Sequence, residues 1–299
     1  MASGRVVGIV ALCAAAAVAA IVAGTVLLSR NESTAVPGRP GKPKVQFELG
    51  LRQDAEAQAL RQAQKLLNDE GKPAQAATIF RRYTSPEARL GLAFAEWTGP
   101  ESLAAVQSIV AAFPDSPAAR FNLALADYQA GRNADAVAAW RQTAASFPDS
   151  PYAIDALDVL NPKVAPSLPP IVFDPAAVPK NARSPLEEGA RYWYLKHVVS
   201  ARHALALAAK LAPNSPETLV AAAVARFSPA NPKAPFPILG PLTATFPHAS
   251  IVRLHLGELL LWNAETKKGM EQLRLAIAEQ PKSIYAKTAR AILGAIRRK

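Results

Sequence analysis

Four histidines, a single cysteine and a scatter of carboxylates are the residues of this 299-residue chain with the types needed for catalytic or metal chemistry. A metal pair on a helix wants two ligands three or four residues apart, on one face. No two of His197, His203, His248 and His255 stand at that spacing, and His197 and His203, six apart, fall on different faces. They read as structural histidines. A lone Cys13 excludes a disulfide scaffold, a cysteine zinc cluster and an iron–sulfur centre. Asp54, Glu56, Asp69, Glu70, Glu187 and Glu188 lie in polar stretches, whereas a glycosidase needs two carboxyls facing each other across a cleft. There is no glycine-rich phosphate loop and no Gly-x-Ser-x-Gly elbow. The expectation is a non-catalytic protein with no metal, no cofactor and no small-molecule substrate.

The elements around these residues are more informative. Half the chain is apolar but only 7% is aromatic, so alanine carries much of the hydrophobic content and favours helices. Residues 6–28 contain no charge and are bracketed by Arg5 and Arg30. As a helix they would span about 34 Å, enough for a hydrocarbon core of ~30 Å. A cleaved signal peptide has a shorter apolar region of about 7–15 residues, so a retained single-pass anchor is the expectation, after a short tail at 1–5. Basic residues downstream (Arg30, Arg39, Lys42, Lys44) would place the following domain in the cytoplasm, whereas the tiny tail favours the opposite side; the expectation leans to an extracytoplasmic domain. Residues 29–45, rich in Pro and Gly, read as a stiff hydrated linker.

From residue 46 to residue 299 the chain repeats itself. Phe113-Pro114-Asp115-Ser116-Pro117 recurs 34 residues later as Phe147-Pro148-Asp149-Ser150-Pro151, and Pro213, Pro247 and Pro281 are again 34 apart. A Ser that caps a helix, followed by a Pro at its first position, marks a helix start. The Pro before that Ser ends the preceding helix. Between these signals Phe121, Leu125 and Tyr128 follow at helical spacings of 4 and 3. Each period therefore reads as one helix hairpin. Prolines at 161–183 and 228–241 interrupt the pattern, and 283–299 reads as a capping helix.

The period of 34, with Leu123-Ala124, Gly131, Ala136, Trp140 and Pro148 in the best copy, resembles the tetratricopeptide repeat. Leu256-Gly257, Gly269, Ala276 and Pro281 give a second copy, and Gly71, Ala76 and Phe80 an earlier one. The resemblance implies an all-α, right-handed superhelical solenoid of about six to seven antiparallel hairpins. It also implies a scaffold that binds a protein or peptide on its concave face. By family position the inward-pointing residues are Phe121, Leu125 and Tyr128, then Trp193 and His197, then Leu254, Glu258 and Trp262. The aromatics among them are either groove anchors or packing between hairpins. In the run Tyr192-Trp193-Tyr194 at least one ring must leave the buried stripe, because neighbours on a helix are ~100° apart. The Lys/Asn/Arg set that grips a peptide carboxylate in some relatives is not matched.

Net charge is +11, and nine Lys/Arg against two Glu in 267–299 make the C-terminal end basic. Lys287, Arg290 and Arg298 turn outward from the last helix, as a solvated cap or a contact surface for anionic lipid. No nucleic-acid motif or basic-aromatic stripe occurs, which argues against nucleic acid. Composition matches a high-GC bacterium. Two other functions fit the same elements: an envelope assembly or biogenesis factor presenting a client to a membrane enzyme, or a lipid- or glycan-binding module.

Overall fold

The computed structural model describes residues 38–297; the apolar segment 6–28, the start of the linker and Arg298 lie outside them. Among the described residues the protein is all-α and helical-repeat-like, with fourteen α-helices, one short 3-10 turn and no strand. None of these helices is long and apolar enough to cross a membrane. The chain divides into two compact units that meet in sequence between Ala156 and Leu157.

The first unit begins with an extended segment, residues 39–49, here called the first strap. It continues through α1 (Ala55–Asn68), α2 (Pro73–Phe80), α3 (Pro86–Ala95), α4 (Leu103–Ala112), α5 (Pro117–Gln129), α6 (Asn133–Ser146) and the start of α7 (Pro151–Leu160). Consecutive helices pack as hairpins: α1 on α2, α3 on α4, α5 on α6. At α3 and α5 the expected start signals act as read: Ser85 and Ser116 cap these helices by accepting from the N–H groups of Ala88 and Ala119, each followed by a first-turn Pro. Between α3 and α4 the chain turns at Thr98-Gly99 into a short 3-10 turn, Pro100–Ser102.

Small residues let helices approach. A methyl group on Gly91 of α3 would stand 2.4 Å from ring carbons of Phe80, which is fully buried and has nowhere to turn. Gly91→Ala is therefore expected to cost about 1–3 kcal/mol, read from the urea midpoint, and an unchanged midpoint would show that the Phe80 ring can yield.

The second unit opens on the second strap, residues 165–174. It continues through α8 (Lys180–Tyr194), α9 (Val198–Leu211), α10 (Pro216–Val224), α11 (Phe236–Thr245), α12 (Ser250–Trp262), α13 (Thr266–Glu279) and α14 (Ile284–Arg297). Helices α12 and α13 cross closely at the two glycines of the second repeat copy, since a Cβ on either Gly257 or Gly269 would lie 3.0 Å from the other's carbonyl oxygen. Three boundaries differ from the sequence reading. Helix α11 starts at Phe236, inside the stretch 228–241 expected as an interruption, because Pro237 falls in the first turn, where no N–H is needed, and Pro241 gives up only one ladder bond. Helix α8 starts at Lys180, ahead of Ser184-Pro185, because Pro185 gives up only one ladder bond near the helix start. Residues 46–49, expected in the first hairpin, are extended, because Val45, Phe47 and Leu49 bury on alternate positions with the period of a strand.

Candidate functional site

Each unit lays its own strap across its helices, and side chains hold the strap by its backbone. In the first unit Asn122 on α5 grips Gln46 at both ends: its Oδ1 accepts the Gln46 N–H at 2.9 Å and its Nδ2 donates to the Gln46 carbonyl at 2.8 Å. Asn68, at the end of α1, does the same to Val45, at 3.1 and 2.7 Å. The Tyr152 hydroxyl accepts the N–H of Glu48 at 3.0 Å. At the other end the Gln129 carbonyl accepts from Arg39 N–H at 2.7 Å, while its Nε2 lies 2.9 Å from the Arg39 carbonyl and 3.1 Å from that of Pro40. The Arg39 guanidinium stacks 3.5 Å from the centre of the Tyr128 ring. The stretch expected as a hydrated linker is thus, from Arg39 onward, fastened to the helices. An extended backbone with its polar groups met by Asn and Tyr side chains behaves as a bound peptide does.

The second unit repeats this arrangement with other residues. His255 on α12 accepts the Val172 N–H at its Nε2, 3.0 Å, and the Tyr285 hydroxyl accepts the Asp174 N–H, 3.0 Å. The Trp193 indole donates to the Pro169 carbonyl at 2.7 Å, and Ala165 N–H reaches the Trp262 carbonyl at 3.4 Å. Asp158 Oδ2 accepts the Ser167 N–H at 2.7 Å. The correspondence is regular. Strap residues Arg39/Ala165, Gln46/Val172 and Glu48/Asp174 are each 126 apart, and their partners Gln129/Trp262, Asn122/His255 and Tyr152/Tyr285 are each 133 apart. Backbone conformation follows: Gly41 and Ser167 both have positive φ (86° and 69°), as do the helix-turn residues Gly131 and Ala264 (82° and 61°). The two units are two versions of one module.

The electrostatics of the pegs differ. His255 is fully buried, and burial pushes its pKa down to about 4 against an opposing hydrogen bond with the Ile251 carbonyl, 2.9 Å from Nδ1. With Nε2 accepting and Nδ1 beside a carbonyl, the ring is the neutral Nδ1–H tautomer. Burial raises the Asp158 carboxyl to about 6, offset in part by the Ser167 N–H it accepts. Glu258, on α12, is only 1% exposed, and burial raises its pKa well above the ordinary range. Neither of its oxygens has a hydrogen-bond partner, nor does the Trp262 indole N–H.

Of the residues expected to line a concave face, Phe121, Trp193, Leu254 and Glu258 are buried, while Leu125, Tyr128, His197 and Trp262 are half-buried. Phe121 packs its ring 5.6 Å from that of Tyr152. His197 meets the Tyr192 ring edge-on. Within 192–194 the middle ring is buried and Tyr194 is 61% exposed, as the spacing requires. Lys287 and Arg290 are exposed on α14. Among the described residues no three His, Cys, Asp or Glu side chains group as metal ligands. The pegs Asn68, Asn122, Tyr152, His255 and Tyr285 were not singled out as site residues from the sequence. Their signal is legible nonetheless: Pro40-x-x-Pro43-x-Val45-x-Phe47-Glu48 recurs as Pro166-x-x-Pro169-x-Ile171-x-Phe173-Asp174. A search for helical periods passes over it, because the repeated element is extended.

A scan against protein-family models finds no match for this chain, and a search of curated proteins finds no similar sequence.

Proposed function

We propose that this chain is a membrane-anchored scaffold of tetratricopeptide-like hairpins that binds a protein or peptide partner in extended form, without catalysis. The observation that carries the reading is the two-ended grip of Asn122 on the Gln46 backbone, matched in place by His255 on Val172. Such contacts read main chain, so they suit a polypeptide better than a glycan or a small molecule. Each groove holds a segment of the chain itself, and a partner either displaces that segment or binds beside it on the half-buried residues Leu125, Tyr128, His197 and Trp262. Residues 6–28 supply the anchor, with the domain on the extracytoplasmic side.

The test is photo-crosslinking from native membranes, with the reactive residue placed in turn at Tyr128, Trp262, Lys287 and Arg290. One protein captured from Tyr128 and Trp262, and not from the two basic positions, is the expected result. Capture of anionic lipid from Lys287 and Arg290 alone would replace the reading with a basic lipid-contact surface. Deleting residues 6–28 should release the protein from the membrane fraction; retention after deletion would refute the anchor.

A further inference from the structure

The hairpin of α8 and α9 exposes an apolar stripe that its counterpart in the first unit does not. The turn residues Gly71 and Lys196 both have φ of 62°, which aligns α2 with α9. Counted from these turns, the first unit has Ala74, Thr78 and Arg82, all exposed, where the second has Val199, His203 and Leu207. Helix α2 is eight residues long and α9 fourteen, so α9 extends the row to Leu211. Val199, His203, Leu207 and Leu211 stand four apart and share one face. Val199 is 47% exposed and Leu207 44%. Pro185, Glu188 and Tyr192 form the facing row on α8, and the two rows line an open groove of about 430 Å³. Exposed apolar surface of this kind marks a contact site.

The order of residues says what the contact is. The hairpin turns at 195–197, and Gly189 packs on Leu205, which sets the register. The two antiparallel rows therefore match level by level. Tyr192 lies across from Val199, Glu188 from His203, and Pro185 from Leu207, with levels about 5–6 Å apart. A twofold axis along the groove would lay α8 of one copy on α9 of another at unchanged height. Each apolar residue then meets an apolar one, and Glu188 meets His203, with every pair made twice. Among the described residues neither of these two side chains has a hydrogen-bond or ion-pair partner. The face is thus complementary to itself. An anionic lipid surface would be repelled by the acid in its middle.

We propose that the groove between α8 and α9 is a self-association surface, on which a second copy of this chain docks about a twofold axis. The proposal goes beyond the scaffold reading and does not depend on it. Apolar contacts at the two outer levels supply the affinity, and the Glu188–His203 pair fixes the register and excludes other partners. One hairpin face is a small interface, so the dimer is reversible.

The test is sedimentation velocity on the full chain in detergent, over a concentration series. A monomer–dimer equilibrium is expected. Leu207→Arg, which copies the first unit's Arg82, should abolish the dimer and leave the melting temperature unchanged, because the side chain is exposed. Glu188→Lys and His203→Glu should each weaken the dimer at least about tenfold by setting like charges together. The two combined should restore it, which neither a folding defect nor an interface elsewhere would do. A monomer at every concentration, a dimer indifferent to Leu207→Arg, or failure of the combined variant to recover would overturn the proposal. A photoreactive residue at position 207 in native membranes should crosslink to a second copy. Crosslinking to lipid or to a different protein instead would overturn it.

Discussion

Phe47→Ala should destabilise the first unit by about 3–5 kcal/mol, lowering its melting temperature by roughly 10–20 °C. Phe47 belongs to no helix, and the sequence around it looks like the end of a linker. Yet its ring is buried and meets Phe80 edge-on, with centroids 6.1 Å apart. Val45 and Leu49 bury on the same side, so the strap is part of the core of its unit. Removing the ring leaves a cavity and forfeits an aromatic pair. The measurement is thermal unfolding with hydrogen exchange. The N–H groups of Gln46 and Glu48, held by Asn122 and Tyr152, should lose protection first. Lys44→Ala, on the exposed side of the same strap, should change stability by less than about 0.5 kcal/mol. Equal effects from both substitutions would mean that the strap is not core.

Acid should act on the second unit through His255. Its folded pKa is depressed to about 4 by burial, against an ordinary value near 6.5. Below 6.5 the unfolded chain takes up a proton that the folded chain refuses, so stability falls as pH drops from 6.5 to 4. The span corresponds to about 3 kcal/mol. Protonation also turns Nε2 from acceptor to donor, facing the Val172 N–H, so the second strap should loosen first. Asp158 and Glu258 work in reverse: their raised folded pKa values mean stability lost as pH rises through and above the ordinary carboxyl range. Comparing wild type with His255→Gln in urea at a series of pH values isolates the histidine. The stability difference between them should shift by about 3 kcal/mol between pH 7 and 4, in the direction that favours the variant in acid. A constant difference would show that His255 is not held neutral.

The hairpins were legible because their signals are local. A capping Ser, a first-turn Pro, a small residue at a helix crossing and a left-handed turn residue each act within a few positions. That is why α3, α5 and the Gly257/Gly269 crossing stand where the spacing put them. The proline run at 161–183, read as a loop, hid the second strap, whereas α11 runs through Pro237 and Pro241 inside the stretch 228–241 that reads as an interruption. The groove residues were legible only as a stripe. That Phe121 and Leu254 are covered, while Tyr128 and Trp262 stay partly open, depends on a segment that returns across the helix from 76 to 111 positions away in sequence. An extended strap makes no local hydrogen bonds of its own. Its conformation, and so the neutral state of His255 and the isolation of Glu258, is decided only when distant side chains meet its backbone. Amino-acid order alone settled where this protein turns; tertiary packing settled what fills its grooves, because filling a groove is a non-local contact.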